Sequence, residues 1–236
     1  MNRTFVLVAG AWHGGWAFRP VAAQLRGLGH RAYTLTLPGM RDGEDPTAYT
    51  LPHTSVAVTE LIEREQLTDV TLVAHSWGGY VATAAAAAVA DRLRKLVFWS
   101  AFVPAKDKTL LDECPPQFQD LFGDLAATSS NNTITLPFEV WQQAFINDAS
   151  EPVQRLAYSL LTPQPFQYFN QSVEPLDTSV VPATYLLSSD DAVLPPGKYH
   201  WARFAERLNT RPSMTPGSHE ALLTRPSALA HALLTA

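Results

Sequence analysis

Two rhythms of apolar residues alternate along this chain. Continuous apolar and β-branched runs at 4–9, 31–35, 70–74, 96–100 and 183–187, with a shorter one near 213–214, have the length and composition of strands buried on both faces. Between them lie stretches with apolar residues at helical spacing. Residues 20–28 carry Pro20, suited to a first turn, with Gly29 as the stop. Residues 55–65 predict an amphipathic helix with Val56, Leu61 and Ile62 inward and Glu60, Glu63 and Glu65 outward. Residues 78–90 are alanine-rich and apolar nearly all round, which predicts a buried helix. Helical patterns recur at 199–207 and 226–234. Strands alternating with helices predict βαβ units: an α/β fold with a mainly parallel sheet of about six strands and helices on both faces.

The alternation lapses between Pro104 and Val181. There Trp141, Phe145, Leu156 and Leu160 suggest short helices, and the charge changes character. Residues 104–181 hold 10 Asp+Glu against 3 Lys+Arg, net −7, leaving 12 acidic and 14 basic residues elsewhere, net +2. The expected organisation is an α/β core of 1–103 and 182–236 with a helical lid inserted at 104–181. No internal repeat is visible.

Composition narrows the function classes. A chain of 236 residues with 46% apolar and 17% charged side chains is long enough for one large globular domain and too apolar for disorder. Its net charge of −5, without basic clusters, leaves no electrostatic footprint for nucleic acid or an anionic membrane. The longest near-apolar helical stretch, 80–90, falls well short of the roughly 20 residues that span a bilayer. At the N-terminus, Phe5-Val6-Leu7-Val8 followed by Ala9-Gly10-Ala11 has the outline of a signal peptide, but Trp12 to Trp16 continues it as part of a fold, so a first strand and a cytoplasmic protein are expected. The single cysteine, Cys114, fits a reducing compartment. The seven histidines contain no HExxH pair, and no metal or organic cofactor is implied. The expected partner is a small-molecule substrate; a homodimer is admissible.

Candidate chemistry lies at the strand ends. Ala74-His75-Ser76-Trp77-Gly78-Gly79 places Ser76 between a buried strand and a buried helix, the context of a nucleophile elbow. That turn wants small residues two before and two after the serine; Gly78 satisfies this, and Ala74 stands where glycine is usual. A serine nucleophile needs a base and a carboxylate in the order Ser…Asp/Glu…His. Of the histidines after Ser76, His200 and His231 fall in helical patterns, whereas His219 falls in a loop between a short strand and the last helix. His219 is therefore the candidate base. Asp190 and Asp191 follow the penultimate strand, and Asp191 is favoured because the small apolar stretch Ala192-Val193-Leu194 succeeds it. One oxyanion donor should be the N–H of Trp77, and the other should come from the turn 10–15 after the first strand. His13 in that turn reads as a brace rather than a catalyst. Gly10, Trp12, Trp141 and Phe145 are the candidate substrate-pocket residues.

With these residues in hand, the chain resembles the α/β-hydrolase superfamily and, within it, the branch of plant methylesterases and hydroxynitrile lyases and their bacterial relatives. The matching stretches are Phe5–Val8 through Gly14-Gly15-Trp16, Leu37-Pro38-Gly39 with Glu44-Asp45-Pro46, His75–Gly79, Ala101-Phe102-Val103-Pro104, Pro163-Gln164-Pro165, and Asp191 with His219. The resemblance implies a Ser76–His219–Asp191 triad with oxyanion donors at the N–H of Ala11 and Trp77. Three positions depart from it: Ala9 stands for the usual His, Ala74 for Gly, and Glu220 for the Met or Lys that follows the catalytic histidine. Glu220 is expected either to point into the site or to face solvent at the start of the last helix. The resulting expectation is a carboxylesterase-like serine hydrolase that cleaves a small, largely neutral ester through an acyl-enzyme. A lyase or cyclase of secondary metabolism using the same triad for acid/base chemistry is the alternative. A non-enzymatic binding protein on the same scaffold is a third reading, against which the intact Ser/Asp/His set argues.

Overall fold

The computed structural model describes residues 2–236. The chain opens with β1 (Thr4–Val8), α1 (Arg19–Gly27), β2 (Arg31–Thr34), α2 (Leu51–Arg64), β3 (Val70–Ser76), α3 (Gly78–Ala88) and β4 (Leu93–Ala101). An insertion follows, built from α4 (Leu110–Glu113), α5 (Pro116–Thr128), β5 (Thr133–Ile134), α6 (Phe138–Val140), α7 (Glu151–Tyr158) and β6 (Gln164–Pro165). Alternation resumes with β7 (Ala183–Ser188), α8 (Ala202–Arg207), β8 (Ser213–Thr215), α9 (Ala221–Thr224) and α10 (Pro226–Thr235).

Six strands form one sheet in the order β2-β1-β3-β4-β7-β8, every pair parallel. Both faces are covered, and side chains sort by parity along each strand. Phe5 and Leu7 pack on the side of α1 and α10; Val6 and Val8 face α2, α3 and the insertion. Continuous apolar runs are what such double burial requires. The antiparallel pair β5–β6 in the insertion, two residues from each strand, is too short to announce itself by periodicity. Among the described residues, no helix is long and apolar enough to cross a membrane.

Two expectations need correction. The helix expected at 55–65 begins at Leu51, where Thr50 and His53 form a reciprocal cap and Pro52 sits in the first turn. Its inward stripe is therefore Leu51, Thr54, Ser55, Val58, Leu61 and Ile62. Val56 lies off that stripe and is exposed. Leu156 and Leu160 point outward, whereas Trp141 and Phe145 are buried in a π-helical turn at Trp141–Phe145.

The strand order reverses about β1, whose neighbours are β2 on one side and β3 on the other. Loops leaving the carboxyl ends of β1 and β3 diverge there and open a crevice, the usual place for a ligand in an open α/β sheet. The turn 10–15 and Ser76 occupy it.

Candidate active site

Ser76 ends β3 with φ +53°, a left-handed conformation that a non-glycine residue adopts only when its surroundings hold it there. Those surroundings are close-packed backbones. A Cβ on Gly78 would meet the Ala9 carbonyl oxygen at 2.7 Å, and one on Gly10 would meet Ser76 Cβ at 2.8 Å and His75 Nδ1 at 3.0 Å. Ala74 is accommodated in full burial between Val8 and Phe98 of the flanking strands. The small side chain two residues before the serine can thus be a methyl, because the tightest approach to Ser76 comes from Gly10.

Asp191 lies in the loop after β7 and His219 in the loop after β8. Asp191 Oδ2 is 2.7 Å from His219 Nδ1, with both side chains 1% exposed. The other Asp191 oxygen accepts the N–H of Val193. Asp190 is exposed and accepts from Ser189 Oγ. The His219 ring stacks on Trp201 at 5.4 Å, meets the edge of Phe145 at 5.3 Å, and lies 4.5 Å from the ring of His75, which precedes Ser76. Burial disfavours charge on this imidazole. The Asp191 carboxylate, its hydrogen bond and, behind it, Glu220 outweigh that effect, so His219 is more basic than an ordinary histidine. His75, stacked on Trp99 at 4.4 Å, has no such partner, and burial holds it neutral, well below the ordinary value.

The turn after β1 is also strained. Trp12 has φ +64° and is pinned to the insertion at three points. Its N–H donates to Gln164 Oε1 (3.0 Å), its indole N–H to the Ile134 carbonyl (2.9 Å), and its carbonyl accepts the Thr162 N–H (2.8 Å). Sequence reasoning passed over Gln164 except as part of a matching tripeptide; a polar residue between two prolines was the available signal.

Ser76, Ala11 and Trp77 line a small cavity of about 30 Å³, together with Phe118, Phe122 and Phe169 of the insertion. Trp12 and Phe145 line it as expected. Gly10 and Trp141 do not: Gly10 is packed behind Ser76, and Trp141 lies behind Phe145, stacked on it at 5.9 Å. No Asp, Glu, Lys, Arg or His contributes to the lining. A larger open groove of about 540 Å³ runs between α2, α3 and residues 172–181, but neither Ser76, Asp191 nor His219 reaches it.

Glu220 takes neither expected orientation. It is fully buried, with Oε2 3.3 Å from His13 Nε2, because its amide is anchored to the Phe145 carbonyl and to Ser218 Oγ. Together His75, His219 and Glu220 offer possible metal ligands within 4.8 Å of one another. A metal there would engage the same imidazole that Asp191 holds.

The α/β-hydrolase family model matches residues 5–232. Over 116 residues the chain is 45% identical to the carbendazim hydrolyzing esterase of Nocardioides sp. (strain SG-4G), a match covering 47% of each protein and thus about half of that relative's length. It is 24% identical to methylesterase 2 of Arabidopsis thaliana over 98% of this chain and 94% of the relative. An extracellular α/β-hydrolase from a Paenibacillus species, which shares structural and functional homology with tobacco salicylic acid binding protein 2, superposes with TM-score 0.93 at 30% identity, covering 100% of this chain and 99% of that one. The parallel sheet, the strained serine at its switch point and a family match over nearly the whole length agree: the chain belongs to the α/β-hydrolase family, with its similarities in the methylesterase branch.

Proposed function

We propose that this α/β-hydrolase is a serine esterase acting on small, uncharged, largely apolar esters, methyl esters among them. The observation that carries the reading is the buried 2.7 Å Asp191–His219 contact, with the His219 ring 4.5 Å from that of His75, which precedes a serine held at φ +53°. In this reading Ser76 Oγ attacks the ester carbonyl while His219 takes its proton, and Asp191 holds the imidazolium that results. The amides of Ala11 and Trp77 stabilise the oxyanion. His219 returns the proton to the departing alcohol, then activates water to release the acid. The apolar lining supports uncharged substrates, and the phenylalanines in it from the insertion support a lid role for that segment. The names of the relatives favour methyl esters and put carbendazim on the substrate panel.

Hydrolysis of p-nitrophenyl acetate and of a methyl ester panel, abolished in Ser76→Ala, tests the proposal; turnover surviving that substitution refutes it. Cyanohydrin cleavage is expected to be absent, because the lining offers departing cyanide no cation. Enzyme-dependent carbonyl release from mandelonitrile, lost in Ser76→Ala, would favour the lyase alternative instead.

A further inference from the structure

Three buried ionisable side chains beside His219 take no part in those steps: His13, His75 and Glu220. His13 Nδ1 lies 2.7 Å from the Ala11 carbonyl oxygen, and since a carbonyl only accepts, that nitrogen carries the ring proton. Nε2 then lies 3.3 Å from Glu220 Oε2, and among the described residues neither atom makes a hydrogen bond. Two bare acceptors facing each other out of water are costly. A single proton held between them removes that cost. On nitrogen it makes an imidazolium–carboxylate pair, on oxygen a neutral pair; either way the net charge is zero, and the penalty of an isolated buried ion is avoided.

The pair spans the two halves of the site. At one end His13 holds the carbonyl of Ala11, the residue whose amide faces the oxyanion. At the other, Glu220 follows His219 directly in the chain.

We propose that His13 and Glu220 are positioning residues that share one buried proton, brace the oxyanion turn against the loop of His219, and set a second carboxylate beside the imidazolium formed in each half-reaction. The proposal rests on the serine-esterase reading. When His219 takes the serine proton, the shared proton shifts toward His13 Nε2 and leaves Glu220 more anionic; when His219 gives its proton up, the shared one shifts back. No proton is gained or lost by the pair.

The ionisable groups facing His219 are Asp191 from the loop after β7, Glu220, and His75 at the end of β3, which is neutral. Those facing Glu220 are His13, His75 and His219. Asp148 and Arg225 pair one layer out, against the backbone of Ser218.

The rate of Ser76 labelling by a fluorophosphonate, followed against pH, reads the protonation of His219. In Glu220→Gln the acid limb should move down by about half a unit to one unit, because a carboxylate favouring the imidazolium is gone. The plateau should fall about tenfold as the oxyanion turn loosens. An unmoved limb and plateau in a folded Glu220→Gln protein overturn the proposal. Wild-type protein that does not label at all overturns the esterase reading itself, and this inference with it. Should Glu220→Gln fail to fold, histidine ¹⁵N spectra of the wild type decide: His13 should carry its proton on Nδ1, with Nε2 hydrogen-bonded. A proton on Nε2 alone, or an Nε2 without a hydrogen bond, refutes the shared proton.

Discussion

At Ser76 a single dihedral angle and a single neighbour do the positioning. The left-handed turn lifts the hydroxyl out of the sheet, and Gly10 lets the β1 turn close against it. Gly10→Ala should therefore push the serine aside and lower kcat about a hundredfold, the scale of a misplacement of about 1 Å, with Tm little changed. A kcat within threefold of wild type would show that the contact is slack. The two neighbouring aspartates separate just as sharply. Asp191→Asn should cost on the order of 10⁴ in kcat, by analogy with serine-protease triads. Asp190→Asn, at an exposed position, should be within about 0.5 kcal/mol of wild type in stability and unaltered in rate. Steady-state kinetics on one ester measure both, and a reversal would move the acid role to Asp190.

Among elements, two of the fastenings between the insertion and the core differ in kind. Trp12 meets β5, β6 and Thr162, just before β6, through three hydrogen bonds, while Glu113 of α4 meets Arg203 (2.6 Å) and Arg207 (2.9 Å) on α8. Glu113 is buried, but the arginines are about a quarter exposed, so Glu113→Ala should cost about 2 kcal/mol, less than a fully buried pair. Urea unfolding reads this. Gln164→Ala should act differently, lowering kcat with KM little changed, because it frees the strained Trp12 turn next to the Ala11 amide. The order of strands and helices was legible because double burial writes itself as continuous apolar runs. The strained turn at Ser76 was legible because it joins a buried strand to a small-residue helix start, and the loop position of His219 because only one later histidine falls outside a helical pattern. Other features leave no periodic mark. The π turn at 141–145 shifts a hydrogen-bond register without changing residue type, yet it sets the Phe145 ring on His219 and the Phe145 carbonyl on the Glu220 amide. The burial of Glu220 depends on His13, two hundred residues away in sequence, and no local pattern reports such a pairing.

Over the whole molecule, charge and pH act through different groups. Eight of the ten acids in 104–181 face solvent, while Glu113 and Asp148 pair with arginines. Discrimination against carboxylate-bearing esters should therefore arise from desolvation in the apolar cavity and should persist at 0.15 M salt, where exposed charges are screened over about 8 Å. Loss of the discrimination on adding salt would return it to the lid charges. In the proposed mechanism His219 supplies the pH dependence. Its folded-state value lies above the ordinary 6.5, so its contribution to stability is complete below that pH and is lost as pH rises through the raised value. Activity, which needs the neutral base, rises over the same interval. Tm and kcat/KM measured together from pH 6 upward should move in opposite directions, and parallel movement would count against His219 as the base.

The small cavity beside Ser76 has a kinetic consequence. At about 30 Å³ it has room for roughly two water molecules. An acyl group larger than this must displace the lining phenylalanines, and once attached to Ser76 it occupies the volume from which the second nucleophile has to come. Bulky acyl chains should therefore load quickly and leave slowly. Rapid-mixing experiments with p-nitrophenyl esters of increasing acyl length should show a burst of nitrophenolate, close to one equivalent per active site, that sharpens as the chain grows. Thinning the lining by Phe122→Ala should speed the slow phase more than the burst.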